Sequence, residues 1–379
     1  MSKEQAVEPM ALRNALGCFT TGVTVVTTTN NGRKIGAGHP AYFIADIGAN
    51  HDGDIEHAKD LIHLCAEAGA NAAKFQHFTA DSIVSDQGFK SIGSQISHQK
   101  KWKKSVFDVY SDASINLEWT ETLKETCEKA GVDFFTSAYS FDLVDYIDPY
   151  VPAYKVGSGD ITWTEMIEYV AQKQKPYIIA SGASTMDDVV RAVSAGLAIN
   201  DQLCLMQCNT NYTASLENFK FIQLNVLRVF KEMYPDMVLG LSDHTPGHAT
   251  VLGALTLGAS MIEKHFTDDN SLEGPDHKFS MNPKSWKEMV DASRELENAL
   301  GNGIKKIENN ENQTAIVQRR SIRVVDDVSA GSTITKDQLT VLRPCPEDGL
   351  APYHMDDILG KTVNKDIKAG EHIRWIDLT

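Results

Sequence analysis

The feature that most constrains the fold is an alternation that begins near residue 40. Short, apolar, strand-like runs alternate with amphipathic helical runs. Because eight strand-like runs are spread over roughly 260 residues, the pattern predicts a closed (β/α)₈ TIM barrel, with a doubly wound open sheet as the alternative. The predicted strands are 42–48, 72–78, 133–139, 153–159, 176–182, 203–209, 238–244 and 260–266.

The segments before and after the predicted barrel do not continue the alternation of strands and helices. Residues 1–37 form an N-terminal extension, and the barrel is predicted over 38–300. The stretch "GNGIKKIENNENQT" (301–314) is polar and rich in Gly and Asn, which is typical of a linker. A smaller domain, predicted to be mostly β, follows at 315–379.

That smaller domain contains an approximate internal repeat. "DVSAGSTI" (327–334) resembles "DIKAGEHI" (366–373), and each pattern predicts a turn between short strands. The domain is too small to be the main enzyme. We expect it to cover the barrel or to mediate assembly.

Composition argues against several classes of partner. With 51 acidic and 36 basic residues the formal net charge is −15, which disfavours nucleic acid and anionic membranes. No apolar run approaches the 18 or so residues of a membrane span, and "MSKEQAVEPMALRN" lacks the order of a signal peptide. The six cysteines form no CxxC pair, so we expect a reduced, cytoplasmic protein.

Polar side chains stand at the C-terminal ends of nearly all the predicted strands. Active sites of TIM barrels lie at this end of the strands, so these residues predict a shared mouth. They are Asp46, Lys74, Gln76, Ser137, Lys155, Ser158, Asp160, Ser181, Asn209, Asp243, His244, Lys264 and His265.

His244 and His265 end the seventh and eighth predicted strands, which are neighbours in a barrel. Their side chains can converge about one strand spacing apart. Two imidazoles with water and a carboxylate suit a divalent transition metal that keeps open positions. The alternative is that one histidine caps a loop while the other binds substrate.

Lys74 and Lys155 lie inside otherwise apolar strands. A buried ammonium group is unfavourable unless an anion pairs with it. With Ser137, Ser158 and Ser242 beside them, these lysines predict a receptor for phosphate and carboxylate groups. Internal salt bridges and a Schiff-base lysine are the alternatives.

Three aspartates are further candidates. Asp46 and Asp160 end the first and fourth predicted strands, where they could bind hydroxyls or carry a proton, although solvated turn residues would look the same. Asp276 lies in a Gly-Pro turn after the eighth strand and could reach the mouth. Asp54 is predicted to cap a helix instead.

Several stretches together resemble the sialic acid synthase (N-acetylneuraminate synthase) family. They are "IADIGANHDGD", "AAKFQHF", "PAYKVGSGD", "GLSDHT" and "IEKHFTDD…GPDHKFSMNP". The C-terminal region, with "RRSI" and its "AG" turns, resembles the SAF (antifreeze-like) domain of that family. The resemblance covers about residues 35–379.

The resemblance implies an activity and roles for individual residues. Members of the family condense phosphoenolpyruvate with an open-chain N-acyl hexosamine, typically N-acetylmannosamine, and release a nonulosonic acid and phosphate. His244 and His265 would hold Mn²⁺, or Mg²⁺ or Co²⁺ in its place. Phosphoenolpyruvate would bind to Lys74, Ser137, Lys155, Ser158 and Ser242, and the sugar to Gln76, Tyr212 and Asp276.

The resemblance also implies a homodimer. Arg343, in "VLRPCP", matches an arginine that the SAF domain inserts into the barrel of the partner subunit, which makes the dimer domain-swapped. The chain departs from the family at Asp46 and Asp160, where glutamate is usual, at Ala180, where serine is common, and in the order of residues 209–211. These departures bear on the acceptor sugar more than on the reaction, and a bulkier, differently acylated or non-acylated sugar is an alternative to N-acetylmannosamine.

The sequence is also compatible with other functions. An octulosonate- or heptulosonate-type synthase and a Schiff-base aldolase are alternatives among enzymes, and a catalytically silent sugar-binding protein is the alternative outside them. Residues 12–36 resemble the start of a flavin-reductase-like domain, but the segment is too short to fold as one. It is interpreted as a remnant, and no flavin is inferred.

Overall fold

The structure of the protein is a computed structural model, and it describes residues 26–27, 33–36, 38–92, 99 and 102–379. Its contacts divide the chain into two compact units. The first unit ends at Gly301, and the second spans Asn302–Thr379.

The first unit is a closed barrel of eight parallel strands, as the alternation of sequence patterns predicts. A short antiparallel pair, β1 (Val26–Thr27) and β2 (Lys34–Ile35), precedes it. The barrel closes where the last strand pairs with the first. Its strands are β3 (Tyr42–Gly48), β4 (Ala72–His77), β5 (Asp133–Ala138), β6 (Tyr154–Val156), β7 (Tyr177–Ala180), β8 (Leu203–Cys208), β9 (Val238–Asp243) and β10 (Ala259–His265).

Helices follow the strands. The described residues between β4 and β5 are partly helical, and the helical stretch that follows β8 is interrupted where Gln223 adopts a left-handed conformation (φ 53°). Among the described residues, no helix is both long and apolar enough to cross a membrane. The α-helices of the described residues of this unit are α1 (Ile55–Glu67), α2 (Ala80–Ile83), α3 (Asp86–Ile92), α4 (Val106–Ala113), α5 (Thr120–Ala130), α6 (Phe141–Ile147), α7 (Thr164–Gln172), α8 (Met186–Leu197), α9 (Val226–Met233), α10 (Ala249–Thr256) and α11 (Pro283–Leu300).

Side-chain alternation along the strands separates two apolar layers. In β3, Phe43 and Ala45 pack in the layer shared with the helices, whereas Tyr42 and Ile44 pack inside the barrel. The next inward position of the same strand is Asp46. Apolar side chains thus fill the barrel below, and the polar side chains stand above them at the C-terminal strand ends.

The second unit is small and contains an antiparallel pair, β11 (Ser321–Val324) and β12 (Leu339–Leu342), with helices α12 (Asn312–Gln318) and α13 (Met355–Ile358). The start of α12 overlaps the predicted linker 301–314. The two copies of the internal repeat pair with each other through Val328 and Ile367. Asp327 accepts a hydrogen bond from the backbone of Ala369, and Asp366 accepts the equivalent bond from Ala330.

Candidate active site

A cavity of about 360 Å³ opens at the C-terminal ends of the barrel strands. This volume falls in the range of small-molecule sites. The structure brings together the residues of the first unit for which the sequence analysis proposed a catalytic, substrate-binding or metal-binding role. Lining the cavity are Asp46, Lys74, Gln76, Ser137, Lys155, Ser158, Asp160, Tyr212, Ser242, His244, His265 and Asp276.

Four of the polar residues predicted at the mouth lie elsewhere. The placement of Asp243 and Lys264 at the mouth is wrong: both are buried away from the cavity and form an ion pair that Thr245 and Thr250 complete. Each directly precedes a histidine that faces the cavity, and neighbouring strand residues point to opposite sides. Ser181 and Asn209 line a different pocket, which lies beside α8.

Lys74 is fully buried and forms an ion pair with Asp46, with 2.5 Å between Nζ and Oδ2. Gln76 donates a longer bond of 3.3 Å to the same carboxylate oxygen. Burial lowers the pKa of Lys74, but the carboxylates of Asp46 and Glu263 outweigh it and hold the pKa above its usual value. Lys74 is therefore a cation inside the cavity.

Lys155 is paired with Glu263, a site residue that the sequence analysis missed. The Nζ of Lys155 lies 3.1 Å from Oε1 of Glu263, and Ser242 donates to the same oxygen at 3.1 Å. Burial raises the pKa of Glu263, but Lys155 and Lys74 outweigh this and depress it. The spacing in β10 could have revealed Glu263, because it is two residues before His265 and so faces the same side.

The glycine-containing loop after β6 places Ser158 beside the lysines. Thr210 donates a hydrogen bond of 2.9 Å to Oγ of Ser158. Gly182 makes this approach possible, because a Cβ atom there would lie 2.0 Å from Oγ1 of Thr210 and 3.0 Å from Cβ of Ser158. This hydrogen bond holds Ser158 in the cavity that Lys74 and Lys155 also line.

His244 and His265 lie side by side, with 5.5 Å between their ring centroids, and Tyr212 and Phe279 pack against both rings. The Nδ1 atom of His244 lies 3.0 Å from the carbonyl oxygen of Asn209. A carbonyl can only accept, so Nδ1 carries the proton and the lone pair is on Nε2. Burial, followed by repulsion from His265, lowers the pKa of His244 to about 4 and keeps it neutral.

Two carboxylates flank His265. Its Nε2 lies 3.5 Å from Oδ2 of Asp46, and its Nδ1 lies 3.5 Å from Oδ2 of Asp276. The Nδ1 atom is buried without a hydrogen-bond partner, as is Oδ1 of Asp46. A buried polar atom without a hydrogen-bond partner is unusual, so these two atoms are available to bind a ligand.

The donor set fits a divalent cation. Two imidazoles and a nearby carboxylate are ligands that Mn²⁺ and similar ions accept. No three His, Cys, Asp or Glu side chains of the described residues converge closely enough to enclose an ion by themselves. An ion held by His244 and His265 would keep positions for water or substrate.

Two predictions concern residues beyond this cavity. Arg343 lies in the second unit, where its Nε donates to the carbonyl oxygen of Gln318 at 2.7 Å. The flavin-reductase-like resemblance over 12–36 falls mostly outside the described residues.

Comparison with known proteins agrees with the geometry. Residues 61–305 match the NeuB family, and residues 319–379 match the SAF domain. N,N′-diacetyllegionaminic acid synthase of Legionella pneumophila is 32% identical to this chain, and the match covers 90% of this chain and 95% of that protein. N-acetylneuraminate-9-phosphate synthase of Mus musculus is also 32% identical, with 88% and 91% covered.

A solved structure agrees as well. The N-acetylneuraminic acid (sialic acid) synthetase of Leptospira borgpetersenii serovar Hardjo-bovis, in complex with citrate, is 26% identical with a TM-score of 0.66. The match covers 76% of this chain and 95% of that one. The chain is therefore an enzyme of the NeuB family in which a barrel is followed by a SAF domain over residues 319–379.

Proposed function

We propose that the protein condenses phosphoenolpyruvate with an open-chain N-acyl hexosamine, N-acetylmannosamine or a related amino sugar, to give a nonulosonic acid and inorganic phosphate. The observation that carries the proposal is the pair of buried lysines, Lys74 and Lys155, beside two histidines in one cavity. The names of the relatives, which are synthases of sialic-type acids, support it.

The lysines supply the binding site for phosphoenolpyruvate. This substrate carries a phosphate and a carboxylate, and two buried cations with hydroxyl donors match that pair of anions. In the structure Asp46 and Glu263 neutralise Lys74 and Lys155. When phosphoenolpyruvate binds, its phosphate and carboxylate groups interact with the two lysines alongside these carboxylates. Ser137, Ser158 and Ser242 line the same cavity and can donate hydrogen bonds.

His244 and His265 would hold the metal ion, for which Mn²⁺ is the leading candidate. Such an ion supplies Lewis acidity at the sugar aldehyde. The hydrogen bond from His244 Nδ1 to the carbonyl of Asn209 fixes which ring nitrogen is available as a ligand.

The remaining chemistry is assigned to the reactants and to this chain's carboxylates. C3 of phosphoenolpyruvate forms the bond to the aldehyde carbon, water adds at C2, and the C–O bond to phosphate then breaks. Asp46 and Asp160 both line the cavity, and either can orient the sugar or accept the proton of that water. Burial raises the pKa of Asp160, which suits a group that exchanges a proton.

A Schiff-base mechanism is less favoured. It needs a neutral lysine, whereas both candidates are paired with carboxylates, and those carboxylates raise the pKa of Lys74 despite its burial.

We further propose a domain-swapped homodimer in which Arg343 enters the cavity of the partner subunit. The SAF match over residues 319–379, together with the resemblance on which this expectation rests, supports it. Light scattering on the purified protein tests the dimer, and an Arg343→Ala variant tests the role of the side chain. A monomer with full activity would contradict both.

Phosphate release from phosphoenolpyruvate in the presence of Mn²⁺ tests the proposed function. Acceptors should include N-acetylmannosamine, di-N-acyl sugars and phosphorylated sugars, with products weighed by mass spectrometry. We expect release with at least one acceptor, abolished by a chelator and by His244→Ala. Release with no acceptor would contradict the function and favour a silent sugar-binding protein.

A further inference from the structure

Gly157 directly follows β6, and its backbone conformation does not require a glycine. Its φ of −65° and ψ of 158° are values that any residue adopts. A Cβ atom at this position would make ordinary contacts, since the nearest heavy atom would lie 3.5 Å away. The glycine therefore leaves a small part of the cavity open that a side chain could fill.

Two oxygen atoms border this open part of the cavity. Oη of Tyr139 lies 3.5 Å, and Oδ2 of Asp160 lies 3.7 Å, from the position that a Cβ atom of Gly157 would occupy. Both residues line the cavity and are half-buried. Among the described residues no hydrogen bond joins Tyr139 directly to Asp160, so a small molecule beside Gly157 can bond to both.

Backbone and ring contacts fix Tyr139 in this place. The residue directly follows β5, and its N–H donates to the carbonyl oxygen of His77 at 3.2 Å. Its ring packs edge-on against Phe78, with 5.9 Å between the ring centroids. Because β5 pairs with β6, Tyr139 and the loop after β6 meet at the same end of the barrel.

Tyr139 and Asp160 differ in their proton chemistry. Burial, followed by the negative charges of Asp160 and Asp46, raises the pKa of Tyr139 well above its usual value, so the phenol keeps its proton and can donate a hydrogen bond. Burial raises the pKa of Asp160, although the charge of Lys155 opposes this. A hydrogen-bond donor and a proton acceptor beside one point suit a water molecule that is to lose a proton.

Ser158 connects this point to the reaction. It directly follows Gly157, and in the proposed function, on which this inference rests, it binds phosphoenolpyruvate. We infer that Tyr139 and Asp160 together hold the water molecule that adds at C2 of phosphoenolpyruvate. Tyr139 donates a hydrogen bond to the oxygen of this water, and Asp160 accepts one of its protons.

The protons of this step balance. The oxygen of the water forms a bond to C2, and one proton passes to the carboxylate of Asp160. The carboxylic acid formed in this way gives that proton to the phosphate as the C–O bond to C2 breaks. The second proton leaves when C2 becomes a carbonyl and, through solvent, reaches the oxygen of the former aldehyde. Tyr139 keeps its own proton throughout and is therefore a positioning residue.

Two alanine variants of one loop test whether the point beside Gly157 is used. Gly157→Ala places a methyl group against both oxygens without a clash, whereas the new Cβ of Gly159→Ala would meet nothing within 4 Å. Phosphate release is measured with Mn²⁺ and an acceptor that supports it. We expect Gly157→Ala to lower kcat about tenfold or more, since misplaced reactants lose rates of this size, with both KM values and urea unfolding unchanged. Gly159→Ala should keep the kcat of the unaltered protein.

A double-variant cycle tests whether Tyr139 and Asp160 act on one water. Tyr139→Phe removes only the hydroxyl and should lower kcat about tenfold with both KM values unchanged. Asp160→Asn should lower kcat about 100-fold or more, as loss of a general base does. The double variant should fall no further than Asp160→Asn alone, because groups that act as a unit are not additive. Tyr169 bonds to Asp145 at 2.8 Å away from the cavity, so Tyr169→Phe is the control and should keep the kcat.

The outcomes separate this inference from the function on which it rests. Full kcat in Tyr139→Phe or in Gly157→Ala would overturn the inference while the synthase function stands. A higher KM for the sugar at unchanged kcat would assign the point to a sugar hydroxyl, and losses that multiply in the double variant would show that the two groups act separately; either result overturns it. No phosphate release by the unaltered protein with any acceptor would contradict the proposed function, and the inference with it.

Discussion

The Nζ atom of Lys155 and the Oε1 atom of Glu263 lie 3.1 Å apart in the cavity, and both side chains are almost completely buried. The second carboxylate oxygen of Glu263 has no hydrogen-bond partner. Removing one charge of such a pair leaves the other uncompensated in a low dielectric, whereas removing both relieves the problem.

We therefore predict that Glu263→Gln lowers the free energy of unfolding of the barrel by about 3 kcal/mol. The double variant Lys155→Met/Glu263→Gln should regain most of that stability and remain inactive, because the cation for substrate is gone. Urea unfolding and phosphate release measure the two effects.

The control for this prediction is an exposed ion pair on α11, between Lys287 and Asp291 at 2.7 Å. Asp291→Asn should cost no more than about 1 kcal/mol, since water already solvates both charges. If the double variant loses as much stability as Lys155→Met and Glu263→Gln lose in sum when measured separately, Lys155 and Glu263 are not a coupled pair.

Much of the fold and of the site follows from local sequence patterns. Buried parallel strands separated by helices predict the barrel, and the barrel places strand-end residues such as His244 and His265 in one cavity. The errors at Asp243 and Lys264 arise because a strand end alone does not fix which side a residue faces. Applying the two-residue period from His265 backwards would have corrected Lys264 and found Glu263.

The packing of α4 against Phe78 could not be predicted in the same way. Helix α4 is only eight residues long and lies in a stretch that reads as polar overall. Its contact with Phe78 joins segments about thirty residues apart and depends on tertiary packing rather than on a local period. Such contacts carry no signal in a single sequence.

A second prediction concerns the close packing at Gly182. A Cβ atom there would lie 2.0 Å from Oγ1 of Thr210, so Gly182→Ala must displace Thr210 and break its bond to Ser158. We expect a loss of about 1–3 kcal/mol in the free energy of unfolding and a higher KM for phosphoenolpyruvate.

Gly159 provides a matched control, because it lines the same cavity but a Cβ atom there would meet nothing within 4 Å. Gly159→Ala should keep the stability of the unaltered protein in the same urea titration. Equal losses for both alanine variants would show that steric contact with Thr210 is not the cause.

A third prediction concerns Asp52, which lies outside the cavity. Its Oδ1 is 3.0 Å from Nε2 of the fully buried His277, whose Nδ1 is 2.7 Å from Oγ1 of Thr267. His277 directly follows Asp276, which lines the cavity. Asp52→Ala should release this turn and raise the KM for the sugar about tenfold, with less than about a twofold change in the KM for phosphoenolpyruvate.

Asp54 is the control for Asp52, because it lies on the same loop but accepts a hydrogen bond of 2.8 Å from the backbone of Glu56 as the cap of α1. Asp54→Ala should cost about 1 kcal/mol of stability and leave both KM values unchanged. A rise in the KM for the sugar in both variants would indicate general loosening of the loop rather than positioning of Asp276.

The last prediction concerns metal binding in the absence of substrates. His244 and His265 each offer a ring nitrogen to the cavity, so either alanine variant should lower the affinity for Mn²⁺ at least about 100-fold, since even outer partners of metal ligands change affinity by 10–100-fold. Isothermal titration of chelator-treated protein measures this without turnover. His354, which pairs with Asp357 at 2.9 Å in the second unit, provides the control, and His354→Ala should bind Mn²⁺ as the unaltered protein does. Unchanged binding after loss of both cavity histidines would place the ion elsewhere and remove the Lewis acid from the proposed mechanism.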